Sequence, residues 1–566
     1  MSEQPSVRPD VAIGIDLGTT NSLIAVWKDG QAELIPNSLG KTTTPSAVSL
    51  DDDGTLLVGE AAAARRISHP HRTAVAFKRL LGSDHQHELG DGHRYSPTEL
   101  SAMVLKSLKA DAEQHLGHAI EEVVISVPAY FSDEQRKHTA FAAELAGLKA
   151  VRLINEPTAA AMAYGLHDQE ERLSLIFDLG GGTFDVTLLE YDGPIIEVCA
   201  STGDNYLGGE DFTRAIVDAC LATWELKDSE LEPAALARLT AQAEQLKCQP
   251  PGQRGELRWH WQDRDYRWQF PEREGPWTPL LQRLRQPIEQ ALRDSKLDPG
   301  ALDHVVLVGG ATRLKEIQQL VTQLFGKLPL RHLDPDTVVA LGAAAQAACR
   351  LQDAAVREVI LTDVCPYTLG ISTTMSVDDQ YLGGLMSPII ERNTTIPASR
   401  ESSYRTLHDN QSKIRIDIYQ GERPRVADNI RIGELEVSVP KAPAGEEAVT
   451  VRFSYDIDGL LEVDVTVQST GAQTSKLIDR SPNGLSDADR ARSHERLQAI
   501  KIHPRQTMPN RTLRARLESA YAQALGETRD QIMHWLNQFD AVLERQDPDE
   551  IRDVRLALED ALTQLP

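Results

Sequence analysis

The sequence predicts a multidomain protein made of an α/β region, an all-β region and a short helical region, in that order. Residues 11–350 alternate short β-branched runs with helical stretches, which is the pattern of an α/β domain. Residues 369–480 contain short alternating strands separated by Gly, Pro, Asp and Asn turns, which indicates a β-sandwich. From Leu485 onward Gly and β-branched residues become rare while Ala, Leu, Arg and Glu increase, which favours helices.

The spacing of apolar residues predicts the bounds of individual helices and strands. The candidate strands of the α/β region are 11–16, 123–127, 174–178 and 305–308. The candidate helices are 98–116, 132–147, 155–165, 209–225, 278–295 and 337–351. In the last region a helical stripe is formed by Leu513, Leu517, Tyr521, Leu525, Ile551, Leu558, Leu562 and Leu565. We interpret this stripe as core packing among helices.

The composition is that of an ordinary globular protein and argues against several functional classes. A chain of 566 residues is too long for one hydrophobic core. Its 84 acidic and 59 basic residues give a net charge of −25, which argues against broad nucleic-acid binding. The five cysteines are scattered and form no CxxC pair, so we expect neither disulfides nor a zinc site, and a reduced, cytoplasmic setting. The N-terminal segment lacks an apolar core and no run approaches ~18 apolar residues, so neither an export signal nor a membrane span is predicted.

Two Gly-rich hairpins give the first functional signal. IGIDLGTTNS occupies 13–22, and a related IFDLGGGTFDVT occupies 176–187. Each combines an apolar strand, an Asp and a Gly-rich turn carrying Thr or Ser. Backbone N–H groups in such a turn can cradle phosphate, and the Asp is placed to meet a metal through water. Two copies indicate two related halves that clamp one nucleotide, so the sequence predicts an ATP-handling protein.

Further motifs give the chain a specific resemblance. They are AVAFKRLLG (74–82), VISVPAYFSDEQRK (124–137), NEPTAAAMAYGL (155–166), GDNYLGGEDF (203–212) and VVLVGGATRL (305–314). With the two hairpins, in this order, the chain resembles the DnaK-type 70-kDa heat-shock chaperone family over nearly its whole length, and is most similar to its HscC-type bacterial branch. The resemblance implies an actin-like (ribonuclease H-like) ATPase domain at 1–355, an apolar linker at 356–368, a β-sandwich client domain at 369–482 and a helical lid at 483–566.

The resemblance also implies a nucleotide site for ATP or ADP. Nucleotide-binding residues would be Gly18, Thr19, Thr20, Asn21, Gly180, Gly181, Gly182, Thr183, Gly208, Gly209, Glu210, Glu244, Lys247, Gly309, Gly310 and Arg313. Catalytic residues would be Lys78, Glu156, Asp178 and Thr183, with Glu156 and Asp178 organising the attacking water and neither assigned as the sole base. Mg²⁺ would be surrounded, mostly through water, by Asp16, Glu156, Asp178 and Asp185; K⁺ is a further candidate cation. Four nearby carboxylates would repel one another unless a cation intervened.

The chain departs from the family pattern at the nucleoside end. Cys248 stands where the family has a stacking Arg, and Pro250-Pro251 replaces a Ser-rich stretch. Nucleotide affinity is therefore expected to be reduced, unless Arg313 stacks alone. The segment 249–277 is short and Trp-rich, and is interpreted as a hairpin whose aromatic residues pack in the core. Because this region binds the exchange factor in the family, dependence on that factor is left open.

Residues for communication between domains follow from the same resemblance. Pro128 lies eight residues before Arg136, as in the family's proline relay. The surface for a J-domain cochaperone would include Arg152, Asn155, Thr158 and the linker residue Asp363. The linker triplet 359–361 is apolar and is expected to dock on a sheet edge in one nucleotide state.

The client site is also expected from the resemblance. An extended, Leu-rich client segment would lie in a pocket formed by Leu369, Ile371, Tyr404, Leu407, Ile414 and Ile416. The alternation of these residues is equally that of inward-facing sandwich positions. Thr374 and Leu407 replace the Met and Ala of the family's arch over the client, an insertion follows near 374–382, and the lid is short. Client preference is therefore expected to differ from that of a general chaperone.

The sequence is compatible with three functions. The first is an ATP-driven, J-domain-stimulated chaperone that acts as a monomer on unfolded or specific client proteins. The second is a sugar or acetate kinase of the same clamp fold, and the third is a polymerising actin-like scaffold. The β-sandwich and the apolar linker favour the chaperone. Slow ATPase activity that rises with an unfolded peptide, without a phosphorylated small molecule, would distinguish it from the others.

Overall fold

The structure is a computed structural model that describes residues 11–165, 172–192, 195–250, 253–271, 275–330, 333–350, 360–377, 380–456, 460–478, 504–506, 508–524 and 526–564. The chain separates into two compact units. The first holds the described residues up to Tyr367 and also Arg392–Thr395. The second holds Thr368–Glu391 and the described residues from Ile396 onward, which include the C-terminal helices.

Two six-stranded sheets form the centre of the first unit. The strands of this unit are β1 (Ile13–Asp16), β2 (Asn21–Lys28), β3 (Gln31–Leu34), β4 (Thr44–Pro45), β5 (Ala47–Leu50), β6 (Leu56–Val58), β7 (Thr73–Val75), β8 (His87–Glu88), β9 (Arg94–Tyr95), β10 (Glu122–Val127), β11 (Lys149–Asn155), β12 (Arg172–Leu179), β13 (Phe184–Asp192), β14 (Ile195–Asp204), β15 (Glu256–Trp261), β16 (Arg264–Gln269), β17 (His304–Val308) and β18 (Ile360–Val364). The first sheet has the order β11-β10-β1-β2-β3, with β4 on β2, and the second runs β17-β12-β13-β14-β18, with the short strand at 395–396 beyond it.

The two sheets repeat one local arrangement. β1 pairs antiparallel with β2 and parallel with β10. In the same way β12 pairs antiparallel with β13 and parallel with β17. Each Gly-rich turn therefore joins a central strand to its antiparallel neighbour, and the sequence expectation of two related halves is met at the level of strand pairing.

Six helices of this unit match the predicted ranges closely, and three further helices, at 60–65, 233–248 and 315–325, were not predicted. The helices are α1 (Glu60–Arg65), α2 (Pro97–Leu116), α3 (Asp133–Leu145), α4 (Glu156–Ala163), α5 (Gly209–Trp224), α6 (Pro233–Cys248), α7 (Thr278–Ser295), α8 (Lys315–Phe325) and α9 (Val338–Arg350). Local chemistry explains their ends: α2, for example, begins with a capping box between Ser96 and Glu99 and ends at Gly117 in the left-handed conformation.

Small residues bring α9 close to its neighbours. A Cβ on Gly14 of β1 would lie 2.1 Å from the backbone nitrogen of Ala344. A Cβ on Gly342 would lie 1.7 Å from the carbonyl oxygen of Ala159 in α4. The Ala-rich sequence of α9 therefore lets this helix pack against both β1 and α4, which fixes the start of α4 relative to the first Gly-rich turn.

The segment 249–277 forms the predicted hairpin in its described part. β15 and β16 pair antiparallel from Glu256↔Gln269 to Trp261↔Arg264. Trp259, Trp268 and Trp277 are buried in the hydrophobic core. The interpretation of these aromatic residues as core packing is therefore confirmed.

The second unit contains two four-stranded antiparallel sheets and a helical cluster. Its strands are β19 (Leu369–Val377), β20 (Gln380–Ile390), β21 (Thr395–Ile396, the short strand at its boundary), β22 (Ala398–Arg405), β23 (Lys413–Gln420), β24 (Ile430–Ser438), β25 (Ala448–Tyr455), β26 (Leu461–Val467) and β27 (Gln473–Ile478). The sheet orders are β20-β19-β23-β24 and β22-β25-β26-β27. The helices are α10 (Met508–Gln523), α11 (Gly526–Arg545) and α12 (Pro548–Thr563).

The C-terminal helices bury much of the stripe that the sequence predicts. Leu513, Leu517, Ile551 and Leu558 lie in one core cluster, against which Tyr521 and Leu562 pack. Leu485, Leu525, Leu565, the linker residue Val359 and Pro251 lie outside the described residues. None of the helices in the described ranges is long and apolar enough to cross a membrane.

Candidate functional site

A cavity of about 950 Å³ in the first unit collects most of the predicted nucleotide residues. The predicted residues that line it are Asp16, Gly18, Thr19, Thr20, Asn21, Lys78, Glu156, Asp178, Gly180, Gly181, Thr183, Gly209, Glu210, Glu244, Lys247, Gly309, Gly310 and Arg313. Gly182, Gly208 and Asp185 are not part of its lining. Gly208 and Gly182 contact each other closely, because a Cβ on Gly208 would lie 2.4 Å from the backbone nitrogen of Gly182.

The two Gly-rich turns meet at one end of the cavity. A Cβ on Gly181 would lie 1.9 Å from the hydroxyl oxygen of Thr20, so a side chain at this position would collide with the opposite turn. The backbone N–H of Glu210 donates to the carbonyl of Gly181 over 2.9 Å. Ser46 ties the other turn by donating to the carbonyl of Gly18 over 2.7 Å. The turns are thus held as a narrow pair, as a phosphate chain gripped from both sides would require.

A buried ion pair lies beside the turns. The Lys78 ammonium is 2.7 Å from the Glu156 carboxylate, and the two side chains are only 3% and 10% exposed. Lys78 belongs to a short 3-10 turn that follows Ala76, whose φ of 55° lies in the left-handed region. Glu156 is the first residue of α4. Two separate elements therefore position this pair, and the pair places a fixed positive charge at the cavity wall.

Three aspartates crowd around Glu156. Burial and the charge of Glu156 raise the pKa of Asp16 to about 7 and that of Asp185 to about 7. Burial, followed by the charges of Glu156, Asp185 and Asp16, raises the pKa of Asp178 well above its usual value. Each carboxyl is stabilised in its neutral form, and a cation among them would reverse this preference.

The hydrogen bonds of these aspartates, within the described part of the chain, leave one buried carboxylate oxygen without a donor. Ser126 donates to Asp16 over 2.9 Å, and the backbone N–H of Tyr130 donates to Oδ1 of Asp185 over 3.2 Å. Oδ2 of Asp185 is buried without a hydrogen-bond partner in the described part of the chain. Among the described residues, no three His, Cys, Asp or Glu side chains are grouped so that they could hold a metal directly. The predicted contact with Mg²⁺ through water stays a prediction.

Another part of the cavity lining is built by α5 and α6. The Lys247 ammonium contacts the Glu244 carboxylate at 2.7 Å and donates to the carbonyl of Gly209 over 2.9 Å. Burial raises the pKa of Glu244, but Lys247 and the hydroxyl of Thr213 outweigh it and lower the pKa overall. Cys248 lies 3.4 Å from the same carboxylate, and burial followed by that charge raises the pKa of its thiol. Cys248 therefore offers a neutral thiol to the cavity.

A short turn at Gly310–Arg313 also lines the cavity. The Arg313 guanidinium is 2.6 Å from Asp334 and 2.8 Å from Asp336. Two carboxylates therefore hold its plane at the cavity edge, while the side chain stays half exposed. Such a guanidinium is suited to stack on an aromatic base.

Sequence reasoning missed several cavity residues. Arg66, Arg214 and Arg254 also line it, outside every motif quoted above. Their positions depend on tertiary packing between α1, α5 and the segment after α6, and no local signal identifies them. Only the Pro pair before Arg254, which ends α6, hints that the chain turns back there.

Three of the predicted coupling residues, Arg136, Asn155 and Asp363, form a hydrogen-bonded chain within the first unit. Arg136 donates to the carbonyl of Ala129, one residue after Pro128, over 3.1 Å and to Asn155 Oδ1 over 2.7 Å. Asn155 in turn donates to Asp363 over 2.6 Å and directly precedes Glu156. Burial raises the pKa of Asp363, although Arg136 and Arg152 oppose it. These contacts connect the linker strand to the residue before the buried ion pair.

Two of these residues offer little surface to a partner. Asn155 is 9% exposed and Thr158 is fully buried. Arg152 and Asp363 are half-buried. Thr158 is thus placed inside α4 packing, where a cochaperone could not touch it directly, and the role of the set in J-domain recognition stays a prediction.

β18, which falls in the segment predicted to be the linker, lies on β14. Its register pairs Ile195 with Ile360 and Ile196 with Leu361, in the parallel direction. β14 would otherwise end the row of paired strands, and an unpaired edge is a ready site for strand addition. The expected docking on a sheet edge is present; its dependence on nucleotide stays a prediction.

The predicted client residues lie on three strands, β19, β22 and β23, and one loop of the second unit. Leu369, Ile371 and Ile416 are buried, whereas Tyr404, Leu407 and Ile414 are half-buried. The Tyr404 hydroxyl is 3.0 Å from that of Ser387, and Tyr381 donates to the carbonyl of Leu407 over 3.4 Å. The three buried residues thus pack in the sandwich core. The role of all six residues as a client pocket stays a prediction.

Comparison with known proteins gives a consistent result. The family model described as "Hsp70 protein" matches residues 12–91 and 87–565. The chain is 41% identical over 506 residues to the Chaperone protein DnaK of Thermosipho melanesiensis, which covers 86% of this chain and 82% of that protein. It is 41% identical over 496 residues to the Chaperone protein DnaK of Thermotoga neapolitana, covering 83% and 80% of the two chains. The Chaperone protein DnaK of Thermosipho africanus is 40% identical over 493 residues, with the same coverage. These matches leave the HscC-type branch a prediction.

Proposed function

Because this chain belongs to the Hsp70 family, whose members are ATP-dependent chaperones and ATPases, we propose that the cavity holds ATP in one orientation. The phosphates lie between the turns at Gly18–Asn21 and Gly180–Thr183, and the nucleoside lies between α6 and the Gly310–Arg313 turn. The observation that carries this proposal is the contact between the two Gly-rich turns beside the buried Lys78–Glu156 pair.

Lys78 acts on the phosphoryl group that is transferred. Its ammonium is a compact charge held in a nearly water-free wall, where electrostatic stabilisation is stronger than in water. Glu156 holds Lys78 in place and, with Asp178, orients the attacking water. Phosphoryl transfer depends on positioning and charge neutralisation more than on covalent chemistry. Lys78, Glu156 and Asp178 are of the residue types that these two tasks require.

The acidic group fits a divalent cation. Asp16, Asp178 and Asp185 have pKa values raised by burial and by Glu156, and one oxygen of Asp185 is buried without a partner in the described chain. A hard cation that keeps part of its water shell relieves both the repulsion and the unmet acceptor. Mg²⁺ bound here with the nucleotide would supply charge neutralisation to the phosphates; K⁺ is a further candidate for the same acidic region.

The linker carries the nucleotide signal to the client domain. The path runs from Glu156 through Asn155 to Asp363 in β18, which pairs with β14. A change in the position of Glu156 on hydrolysis therefore alters a residue that holds the linker strand. The apolar linker residues, which include Val359, then decide whether the strand stays docked.

The client is an extended, apolar segment of an unfolded or specific protein. It is bound by the sandwich near Tyr404, Leu407 and Ile414, which keep exposed surface beside the buried Leu369, Ile371 and Ile416. Main-chain pairing supplies affinity and side-chain pockets supply preference, as in strand addition generally. We further propose a cytoplasmic monomer that works with a J-domain cochaperone, with no role in nucleic-acid or membrane binding; the need for an exchange factor is left to the experiment described below.

The nucleotide site is tested by blocking the contact between the two turns. Gly181→Ala places a Cβ against Thr20, so ADP affinity should fall by at least tenfold when measured by calorimetry. Gly255→Ala is the matched control, because its nearest heavy atom would be 3.9 Å away. Equal ADP affinity in the two folded variants would refute the assignment. Product analysis of ATP hydrolysis with an unfolded peptide, and with small sugars, excludes or reveals a kinase.

A further inference from the structure

Arg254 occupies a place at the nucleoside end that no motif predicts. α6 ends at Cys248, and the chain turns back so that Arg254 lines the same cavity as Cys248, Gln249 and Pro250. Its Nε donates to the carbonyl of Gln249 over 3.2 Å. The guanidinium thus fastens the exit of α6, the element that carries Glu244 and Lys247.

Aromatic residues hold this guanidinium firmly. It lies 4.6 Å from the ring centre of Trp277 and 5.3 Å from that of Phe270. Trp277 is itself fixed, because its Nε1 donates to the carbonyl of Phe212 over 2.9 Å. The Arg254 side chain is only 4% exposed. A cation held over two aromatic rings is a desolvated, preorganised charge.

Its charge partner lies on α8, the helix that follows the Gly310–Arg313 turn on the other wall. Nη1 of Arg254 is 2.5 Å from Oε1 of Glu316, which stands in the first turn of α8, directly after the Gly310–Arg313 turn. Oε2 of Glu316 is buried without a hydrogen-bond partner in the described chain, so the pair with Arg254 supplies the hydrogen bonding of this carboxylate. The ion pair therefore joins the wall that carries Cys248 to the wall that carries Arg313.

We propose that the Arg254–Glu316 pair is a clasp across the nucleoside end that slows release of adenine nucleotide, and that it compensates for the stacking contact that Cys248 cannot make. This inference rests on the proposed nucleotide site. A nucleoside between the two walls leaves only when they separate, and separation breaks a desolvated ion pair. Arg254 is a positioning residue: it acts through the walls, and the chemistry at Lys78 lies at the other end of the cavity.

Release of a fluorescent ADP analogue from the full-length protein tests the clasp by stopped flow. Arg254→Ala and the isosteric Glu316→Gln should each release ADP at least tenfold faster than the parent. Hydrolysis of prebound ATP in a single turnover should stay within twofold, because Lys78, Glu156 and Asp178 are untouched. Arg258→Ala is the matched control: it removes an arginine of the same hairpin whose partner is Glu256 and whose side chain is 73% exposed. Its off-rate should equal that of the parent.

A charge swap separates a clasp from a general loss of structure. The double variant Arg254→Glu with Glu316→Arg should recover part of the slow release that either reversal alone destroys. An unchanged off-rate in folded Glu316→Gln, an equal acceleration in Arg258→Ala, or a parallel fall in single-turnover hydrolysis would each overturn the clasp. A parent that binds no ADP would instead overturn the proposed nucleotide site, so the two failures are distinguishable.

Discussion

Replacing Lys78 by Ala should separate the binding of ATP from its hydrolysis. Lys78 lies beside the two Gly-rich turns, whereas the nucleoside end is built by other elements. The variant should therefore keep most of its ATP affinity. Loss of a preorganised charge on the developing transition state typically costs about 10²–10³ in rate, so we expect single-turnover hydrolysis to fall at least ~10²-fold.

The structure also predicts that the Lys78→Ala variant is less stable than the parent. Lys78 and Glu156 are both buried, and removing one partner of a buried pair usually costs about 3–5 kcal/mol. Without Lys78, Glu156 would stand uncompensated beside Asp16, Asp178 and Asp185, whose pKa values already reflect its charge. The free energy of unfolding of the nucleotide-free variant should therefore fall by a few kcal/mol, and Mg²⁺ with ADP should restore much of it by binding only the folded state.

Three measurements on each protein decide the matter: ATP affinity by calorimetry, hydrolysis in a single turnover, and denaturant unfolding with and without Mg-ADP. Lys149→Ala is the matched control, since Lys149 forms a similar contact of 3.0 Å with Glu122, but these side chains are 72% and 51% exposed. An exposed pair contributes about 0–1 kcal/mol, so this control should change little. Near-normal hydrolysis in folded Lys78→Ala would refute the assigned role.

Three further outcomes follow from the described contacts. Replacing Ile360 and Leu361 together by Asp should undock the strand paired with β14 and make peptide affinity insensitive to ATP; ATP-accelerated peptide release equal to that of the parent would contradict this. Ile414→Asp, at a half-buried position, should abolish binding of a peptide with a central Leu while circular dichroism stays native, and unaltered affinity would exclude this pocket. Burial, with a smaller effect of a neighbouring histidine, lowers the pKa of His87 from 6.5 to about 4. The unfolded state then binds the extra proton, so stability should fall as pH drops from 6.5 to 4, and His87→Gln should flatten that slope in denaturant titrations.

Local pattern was enough to predict six helices and four strands of the first unit, because periodicity and capping act within a few residues. The predicted helix 98–116 is observed as Pro97–Leu116, and the predicted strand 123–127 as Glu122–Val127. The pairing partners of the strands could not be predicted from local pattern. β18 lies on β14 at a separation of 165 residues, Ile195 against Ile360, and no local signal encodes that contact.

The site was predictable where a motif carries the chemistry and unpredictable where packing does. The two Gly-rich turns and Lys78 line one cavity as expected. Each of the three could be found because it belongs to a motif whose own residues are close in sequence. Thr158 was expected among exposed polar residues, yet the packing of α4 buries it completely. Arg254 escaped notice because its position depends on Trp277 and Glu316, 23 and 62 residues away in the chain.

The presence of Cys248 predicts fast nucleotide release, whereas the ion pair of Arg254 predicts slow release. A double-mutant cycle shows how the two effects combine. Cys248 lacks the planar stacking contact of an arginine, worth about 1–2 kcal/mol or a factor of roughly 5–30 in the dissociation constant. If Arg254 already retains the nucleoside by holding the walls together, Cys248→Arg should slow ADP release only modestly in the parent. In the Arg254→Ala background the same substitution should slow release by the larger factor, because stacking then becomes the main brake. Neighbouring residues that share one function are expected to show such non-additivity. Equal factors in the two backgrounds, measured by stopped flow, would mean that the stacking position and the ion pair act independently and that Arg254 does not compensate for Cys248.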